Sequence, residues 1–411
     1  MHARKSASGS ILSAIKLPAV IVAAAGLVLA INMGVRQTFG VFLEPMTADL
    51  GIGRADFSLV IAIQNILWGV LTPIFGGLAD RYGTARCVAL GGVLYAVGTI
   101  FMALSDSLVM LHLSSGLLIG MAVAACGYPI VLSAVARAVS EEKRSFALAV
   151  AATGGSVGQF LLLPLSRRLI DNLGWIDALF ILAALAALAV IVAPVLKGRA
   201  QEGSGDSGQP EPGIASVVVQ ASKHRGFLLL NGGFFVCGFH VSFIATHLPG
   251  YVSALGFQPV VGADALSIVG FFNILGGLLA GILGLKFRRK YVLSGIYTLR
   301  AIVMLALILA PKTEATLFLF AGIFGLLWLS TVPLTSALVS DIFGPRFLAT
   351  LFGIVMFSHQ LGAFFGAWFG GISFDLTGSY DSVWYLSILL GVVSALFHWP
   401  IADRRVALAT S

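Results

Sequence analysis

Long uninterrupted apolar runs constrain the fold of this chain more than any other feature of its sequence. Roughly twelve such runs follow one another, near residues 18–45, 56–79, 86–104, 109–137, 146–169, 175–196, 226–252, 263–284, 291–310, 315–340, 348–371 and 383–402. A helix needs about 20 apolar residues to cross the hydrocarbon core of a bilayer. The pattern therefore predicts an all-α membrane protein with twelve transmembrane helices.

The composition excludes the other broad classes of protein. Only 10% of the residues are charged, against about 25% in soluble domains, so the chain could not cover a globular surface with polar groups. An outer-membrane barrel would show short segments of alternating polarity, which these continuous runs do not. The three cysteines (Cys87, Cys126 and Cys237) lie in or beside apolar runs, and they indicate neither a disulfide framework nor a metal site. We expect no cofactor.

Basic residues predict the orientation of the spans. With both termini in the cytoplasm, nineteen of the 25 Lys and Arg residues fall on the cytoplasmic side and four fall in the outer loops. This bias is the one that the positive-inside rule describes. We therefore predict a multi-pass protein of the plasma (inner) membrane, surrounded by lipid, and no nucleic-acid partner. The net charge of +7 is a consequence of topology.

A polar stretch divides the chain into two sets of six spans. Residues 197–225 are rich in Gly, Ser, Pro and charge, as solvated linkers are. The predicted organisation is a cytoplasmic tail (1–17), an N-terminal six-helix bundle (18–196), a cytoplasmic linker (197–225), a C-terminal six-helix bundle (226–403) and a second cytoplasmic tail (404–411).

The two halves repeat each other weakly. The stretch GGLADRYG at 76–83 aligns with GILGLKF at 281–287, and about 204 residues separate both GQF at 158–160 from GAF at 362–364 and Pro129 from Pro333. A repeat of six spans in the same orientation is typical of transporters made of two parallel pseudo-symmetric bundles.

One loop resembles the signature of a transporter family. GGLADRYGTAR at 76–86, between the second and third spans, resembles the loop 2–3 signature of the major facilitator superfamily. The resemblance implies the fold of two six-helix bundles and a conformational latch at the inner gate. The latch residues would be Gly76, Asp80, Arg81, Gly83 and Arg86. The alternative is a plain juxtamembrane turn.

Further stretches resemble the monocarboxylate and oxalate–formate branch of that superfamily. They are RQTFGVFLEPM, EEKRSFALAVAATGGSVGQFLLLPL, LGWIDALF, FVCGFHVSFIATHLPGYV and WLSTVPLTSALVSDIFGPR. The branch carries a lysine near the place of Arg36 that contacts the substrate carboxylate. It often has a carboxylate-binding arginine four residues after the place of Asn273, where this chain has Gly277. That departure weakens the case for lactate-like recognition.

Two arginines lie inside apolar runs. Arg36 shares a helix face with Asn32, four residues earlier, and adjoins Gln37. A guanidinium in a wet cavity can hold a carboxylate by two hydrogen bonds; alternatively Arg36 extends outward to the membrane surface. Arg300 either contacts substrate or is a structural residue. Without central Asp or Glu in the spans, an anionic substrate would be the missing partner of these cations.

Several uncharged polar residues complete the predicted substrate site. His240 and His359 are the candidate proton carriers, since the ordinary pKa of histidine lies near physiological pH; otherwise the substrate carboxylate moves the proton. Gln360, Asn273, Tyr128 and Trp328 are the other predicted substrate contacts. Gln64, Asn65 and Gln159 either line the cavity or join helices. We read the glycines spaced by four residues at 277/281 and 362/366/370 as helix-packing positions.

The leading hypothesis is a secondary active transporter, not an enzyme. Because no nucleotide-binding motif is present, transport would be driven by gradients. The protein would move a small monocarboxylate-like anion by alternating access, as a monomer, with proton symport or anion exchange. One alternative is an efflux carrier for amphipathic compounds. Another is a membrane sensor on a transporter fold.

Overall fold

The protein is built from helices. A computed structural model describes residues 4–197, 214–344 and 347–406, and every regular element within these ranges is helical. The helices are α1 (Arg4–Gln37), α2 (Phe39–Leu50), α3 (Arg54–Tyr82), α4 (Thr84–Ala103), α5 (Leu108–Leu111), α6 (Ile119–Ala125), α7 (Tyr128–Ala138), α8 (Glu141–Leu173), α9 (Trp175–Val192), α10 (Ile214–Lys223), α11 (Arg225–Ala254), α12 (Pro259–Lys286), α13 (Arg289–Leu309), α14 (Glu314–Leu327), α15 (Thr331–Phe343), α16 (Leu348–Thr377) and α17 (Asp381–His398). A π-helical turn (His112–Leu118) joins α5 to α6, and a 3-10 turn (Ala193–Leu196) follows α9.

Twelve segments of the described residues are long and apolar enough to cross a membrane. In chain order, spans one to twelve are Pro18–Leu50, Arg54–Tyr82, Thr84–Ala103, Leu108–Ala138, Phe146–Leu173, Trp175–Leu196, Arg225–Ala254, Pro259–Lys286, Arg289–Leu309, Glu314–Phe343, Thr350–Thr377 and Asp381–His398. The predicted all-α fold with twelve spans is confirmed.

The structure extends span one and places helix in parts of the predicted tail and linker. The first helix begins at Arg4, inside the predicted tail, and after a one-residue interruption at Thr38 span one continues to Leu50. The last part of the predicted linker forms α10, which buries Val217 and Ala221 against the bundle. Residues 1–3, 198–213, 345–346 and 407–411 lie outside the described residues, and so do the corresponding parts of the predicted tails and linker.

Helix pairings repeat between the two halves. Span one packs on span five and span three on span six, and in the second half span seven packs on span eleven and span nine on span twelve. A Cβ placed on Gly158 would lie 1.9 Å from the carbonyl oxygen of Ala30, and one on Gly362 would lie 1.9 Å from that of Phe235. These two glycines are 204 residues apart, so the sequence repeat corresponds to a repeated backbone-to-backbone contact.

The bundles meet mainly through two pairs of helices, spans two and eleven on one side and spans five and eight on the other, and span one also contacts span seven. Loops after odd-numbered spans lie at one end of the helices, which we call the distal face. Loops after even-numbered spans lie at the other end, which we call the linker face because α9 and α10 flank the predicted linker there. The space between the bundles, midway between these faces, contains the candidate site.

Candidate functional site

Two helices that border the space between the bundles are broken near their middle. Span four is interrupted between Ala125 and Tyr128, and span ten between Leu327 and Thr331. Proline follows each break, as Pro129 in α7 and Pro333 in α15, and a proline ring cannot continue the hydrogen bonding of the preceding turn. Each break leaves backbone carbonyls without helical partners in a region where water is scarce.

Polar side chains from neighbouring spans bond these free carbonyls. The Asn32 amide in span one donates to the Cys126 carbonyl at 2.9 Å. In the second bundle, the Arg300 guanidinium in span nine donates to the Leu327 carbonyl at 2.5 Å and also to the Trp328 carbonyl. The end of a helix with free carbonyls carries partial negative charge, so a cation is stabilised there. Asn32 and Arg300 thus support the two breaks in equivalent ways.

A cavity lies between the bundles beside these breaks. Its volume is about 70 Å³, several times the roughly 10–15 Å³ that one water molecule requires on the same measure. Its walls are both polar and apolar, and within the described residues they are Met33, Arg36, Gln37, Phe39, Gly40, Ile61, Gln64, Asn65, Trp68, Tyr128, Val241, Ser242, Ala245, Thr246, Trp328, Leu329, His359, Gln360 and Ala363. Arg36 is the only Lys or Arg in this lining, which contains no Asp or Glu.

Arg36 lies where span one is interrupted, two residues before Thr38. One nitrogen of its guanidinium donates to the side-chain oxygen of Asn65 in span two, and the group lies 4.9 Å from the centre of the Trp68 ring. Its Nε is buried and has no hydrogen-bond partner among the described residues. The side chain therefore turns into the space between the bundles and retains an unused donor there.

The bundles are in close contact at the distal face. The Arg54 guanidinium at the start of span two pairs with Glu44 at 3.0 Å and donates to the Tyr380 hydroxyl at 2.7 Å. The backbone amides of Arg54 and Ala55 donate to the Asp375 carboxylate in span eleven, at 3.0 and 2.7 Å. Burial raises the pKa of Tyr380 to about 12. We call Glu44, Arg54, Asp375 and Tyr380 the distal cluster.

Towards the linker face the same helices separate. A Cβ on Gly69 in span two would lie 2.9 Å from the Gln360 side chain of span eleven, but one on Gly76 or Gly353 would have no neighbour within 4 Å. Between spans five and eight, a Cβ on Gly270 would meet Gln159, whereas one on Gly277 would meet nothing. The bundles are therefore closed at the distal face and parted at the linker face.

Comparison with known proteins fits this architecture. The family model of the major facilitator superfamily matches residues 25–272 and 230–409 of the chain. The chain belongs to the major facilitator superfamily. This family and the relatives below consist of transporters, so the protein is a secondary transporter and not an enzyme.

Two relatives are each 26% identical to the chain. One is monocarboxylate transporter 13 of Rattus norvegicus, with 93% of this chain and 89% of the relative covered. The other is YcxA of Bacillus subtilis, an uncharacterised transporter of the same superfamily, with 91% and 93% covered. Among solved structures, the nucleoside transporter NupG matches with a TM-score of 0.77 at 14% identity and covers 93% of this chain and 99% of its own. A bacterial homologue of the lysosomal transporter Spinster, in an inward-facing conformation, matches with a TM-score of 0.72 at 16% identity, with 93% and 96% covered.

The superfamily signature loop lies where the bundles have parted. Asp80, Arg81 and Arg86 are exposed, and Gly76 borders open space. Gly83 has a positive φ of 96°, which favours glycine, and forms the turn between spans two and three. Within the described ranges, no cation lies within ion-pair distance of Asp80. The conformational latch at this loop stays a prediction.

The cavity brings together six of the ten predicted substrate residues. These are Arg36, Gln37, Tyr128, Trp328, His359 and Gln360. Gln64 and Asn65 also line it, whereas Gln159 donates to the Leu266 carbonyl between spans five and eight.

The other four predicted substrate residues lie outside the cavity lining and bond elsewhere. Asn32 and Arg300 bond the broken spans. The His240 ring is 2.8 Å from the Ser387 carbonyl. The Asn273 amide donates to Ser156 in span five at 2.8 Å, and its oxygen accepts from the backbone of Leu329 at 3.0 Å. Asn273 thus joins the two bundles next to the cavity.

Among the lining residues with hydrogen-bonding side chains, three escaped the sequence reasoning. Trp68, Ser242 and Thr246 belong to the cavity wall, but Ser, Thr and Trp are ordinary residues of membrane helices. Of the three, only Trp68 could have been predicted to line the cavity, because it lies one helical turn after Gln64. Nothing in the sequence distinguishes Ser242 from the other serines of the spans.

Proposed function

We propose that this protein transports a small organic anion with one carboxylate, monocarboxylate-like, across the inner membrane by alternating access. One observation carries the proposal: among the described residues, the cavity wall contains one Lys or Arg side chain, Arg36, and no Asp or Glu. A charge inside the membrane is costly unless it is paired or hydrated. An anion that enters the cavity would supply the missing partner.

The hydrogen-bonding groups of the cavity support a carboxylate as that partner. Arg36 Nε and the indole nitrogen of Trp328 are donors without partners among the described residues, and both residues line the cavity. Carboxylate oxygens accept such bonds, and those from a guanidinium are among the strongest. With one cation in the lining, a second carboxylate on the substrate would lack a partner. Dicarboxylates are therefore expected to bind more weakly than monocarboxylates of similar size.

The contrast between the two faces supports alternating access. The distal cluster closes one end of the space between the bundles, and the helices separate at the other. If the linker face is cytoplasmic, as the distribution of basic residues favours, this is an inward-facing conformation. Opening the distal cluster while the linker face closes would expose the cavity to the other side. We propose that the monomer carries out this cycle.

Proton symport and anion exchange remain the two proposed modes of coupling. Each of the two histidines has one ring nitrogen without a partner among the described residues, but His359 lines the cavity, whereas His240 lies outside the lining beside the Ser387 carbonyl. An imposed pH gradient across proteoliposomes should drive uptake if protons are co-transported. His359→Gln should then weaken this response and His240→Gln should leave it intact. Uptake that ignores the gradient and requires anion inside the vesicles would indicate exchange.

The direct test of the proposed function measures binding and uptake of labelled acetate, lactate and benzoate by purified protein. Arg36→Ala should weaken binding of the preferred carboxylate by roughly 10- to 100-fold, the scale of a lost hydrogen bond to a charged group. Arg36→Lys should retain part of it, since the charge remains and the fork of donors is lost. Arg288→Ala, an exposed cation at the linker face, is the matched control. Normal binding of all three anions by Arg36→Ala would refute the proposal.

The apolar part of the lining favours one other candidate function, efflux of amphipathic compounds. Phe39, Trp68, Tyr128 and Trp328 provide aromatic surface around the single cation. An efflux carrier would bind hydrophobic cations or neutral amphiphiles, and Arg36→Ala would then leave affinity unchanged or raise it. Competition of such compounds against labelled carboxylate distinguishes the two functions.

A further inference from the structure

The Asn65 side chain makes a hydrogen bond to Arg36, the cation of the proposed anion site. The Asn65 side chain is fully buried in span two and lines the cavity beside Arg36. The amide oxygen accepts a hydrogen bond from the Arg36 guanidinium, and the amide nitrogen donates to the Ser242 hydroxyl in span seven at 3.1 Å. The two neighbours fix the orientation of the amide, because a guanidinium has donors only.

A carboxylate held by two hydrogen bonds would use the unpartnered Nε of Arg36 and a neighbouring Nη, and Nη2 is the nitrogen that already donates to the Asn65 amide oxygen. An amide oxygen and a carboxylate oxygen both accept hydrogen bonds, and a cation binds the carboxylate more strongly. Asn65 is neutral, so it supplies a bond to the buried guanidinium without cancelling its charge. An arriving anion therefore gains an attraction that Asn65 cannot match.

We propose that Asn65 is a positioning residue. Its amide oxygen accepts a hydrogen bond from Arg36 until the substrate anion binds, and the substrate carboxylate then displaces it. This inference rests on the proposed function, since it assigns the substrate carboxylate to Arg36. It goes further in stating that the neighbouring amide competes with the substrate. The affinity of the site for anions is therefore set lower than Arg36 alone would give.

The amide nitrogen of Asn65 connects the displacement by the anion to the contact between the two bundles. Asn65 belongs to the N-terminal bundle and Ser242 to the C-terminal bundle, so their hydrogen bond crosses the interface near the cavity. Displacement of Asn65 from Arg36 frees its side chain to rotate and alters that bond. Anion occupancy thereby acts on a contact between the bundles, which a transporter needs if loading is to favour reorientation.

The test compares anion affinities of purified full-length variants in detergent, with the member of the acetate, lactate and benzoate panel that the wild-type protein binds best. Asn65→Ala and Asn65→Ser should each bind this anion roughly tenfold more tightly, because a competing hydrogen bond to a charged group is lost. Asn65→Asp, which keeps the shape of the side chain, should bind it at least about tenfold more weakly, because the introduced carboxylate stays on Arg36. Either small variant suffices if the other does not fold.

Gln64→Ala is the matched control. Gln64 is the preceding residue, is also fully buried, also lines the cavity and donates to the Ser115 carbonyl at 2.9 Å within its own bundle. Its removal should not tighten binding. Unchanged or weaker binding by both Asn65→Ala and Asn65→Ser would overturn the inference and make Asn65 a structural group or a direct substrate contact. Equal tightening by Gln64→Ala would overturn it as well.

The result also separates this inference from the proposed function. If Arg36→Ala abolishes carboxylate binding while the small Asn65 variants bind more weakly than wild type, the anion site stands and the competition is wrong. If Arg36→Ala binds carboxylates normally, the proposed function itself is wrong. Tighter binding in Asn65→Ala should disappear in the double variant Arg36→Ala/Asn65→Ala, because the competition acts through the guanidinium.

Discussion

The guanidinium of Arg300 in span nine bonds the carbonyl of Trp328, at the break of span ten. Trp328 faces the cavity, whereas Arg300 is fully buried outside its lining. The same guanidinium bonds the Leu327 carbonyl and lies 3.5 Å from the sulfur of Cys237. A cation in the middle of the membrane is thus partnered by backbone oxygens that a broken helix leaves free. We infer that Arg300 fixes the break, and through it the position of Trp328.

Replacing Arg300 should therefore affect stability more than substrate contact. Arg300→Met leaves two buried carbonyls without partners, and we expect a loss of unfolding free energy on the order of 3 kcal/mol. Arg300→Lys should recover part of this, since the ammonium group also donates and carries the charge. Unfolding of the detergent-solubilised variants by heat or denaturant measures the difference.

Asn32 provides the internal comparison for that experiment. It bonds the break in span four as a neutral amide, so Asn32→Ala should cost less, about 1 kcal/mol. If Arg300→Met were as stable as the wild type and lost only anion binding, Arg300 would be a substrate residue after all.

The spans and the repeat between the two halves were predictable because simple physical limits set them. Bilayer thickness fixes the length of an apolar run, so the run at 226–252 could only be a span. The repeat between Gly158 and Gly362 was visible because close helix contacts tolerate only small residues. Arg36 was conspicuous for a related reason: a charge in an apolar run is costly unless it has a partner or lies in a hydrated cavity.

The partners of the polar groups were not predictable, because they are distant in the chain. Arg300 was as conspicuous as Arg36, but the carbonyls that it bonds lie 27 and 28 residues away at a break that no pattern marks unambiguously. Asp375 and the start of span two are 321 residues apart. A sequence shows which residues need a partner, whereas the packing of the bundles decides which partner each receives.

The distal cluster predicts a second variant phenotype. Asp375 accepts two backbone amides at the N-terminus of span two, where the helix carries partial positive charge. Asp375→Asn should weaken this contact by about 1 kcal/mol and shift the population towards the conformation that is open at the distal face. Spin-label distances across that face measure the shift. Asp381→Asn is the control, since Asp381 is exposed and outside the cluster; equal shifts in both variants would contradict the prediction.

A pH dependence follows from a pair at the linker face. The Arg288 guanidinium hydrogen-bonded to Asp403 holds the pKa of that carboxyl below its ordinary value. Such a carboxylate stabilises the folded state above its ordinary pKa, and the contribution is lost as the pH falls through the lowered value. Because the Arg288 side chain is 56% exposed, Asp403→Asn should lower Tm at pH 7 by only on the order of 1 °C. The difference should shrink as the pH falls below the ordinary carboxyl pKa of about 4, and Asp106→Asn, in an exposed loop, should show none.

The glycines of spans eight and eleven predict opposite consequences for the same substitution. A Cβ on Gly277 would meet nothing within 4 Å in the present conformation, whereas one on Gly362 would lie 1.9 Å from the Phe235 carbonyl. Gly362→Leu should therefore destabilise the C-terminal bundle by about 3 kcal/mol or more, because the backbone of span seven cannot move aside.

Gly277→Leu should fold and bind anion normally, yet exchange it at least about tenfold more slowly. Its side chain would obstruct the approach of spans five and eight when the linker face closes. Unfolding by denaturant measures the stability of Gly362→Leu, and anion binding and counterflow in proteoliposomes measure the properties of Gly277→Leu. Wild-type counterflow by Gly277→Leu would show that the linker face does not close through the contact of spans five and eight.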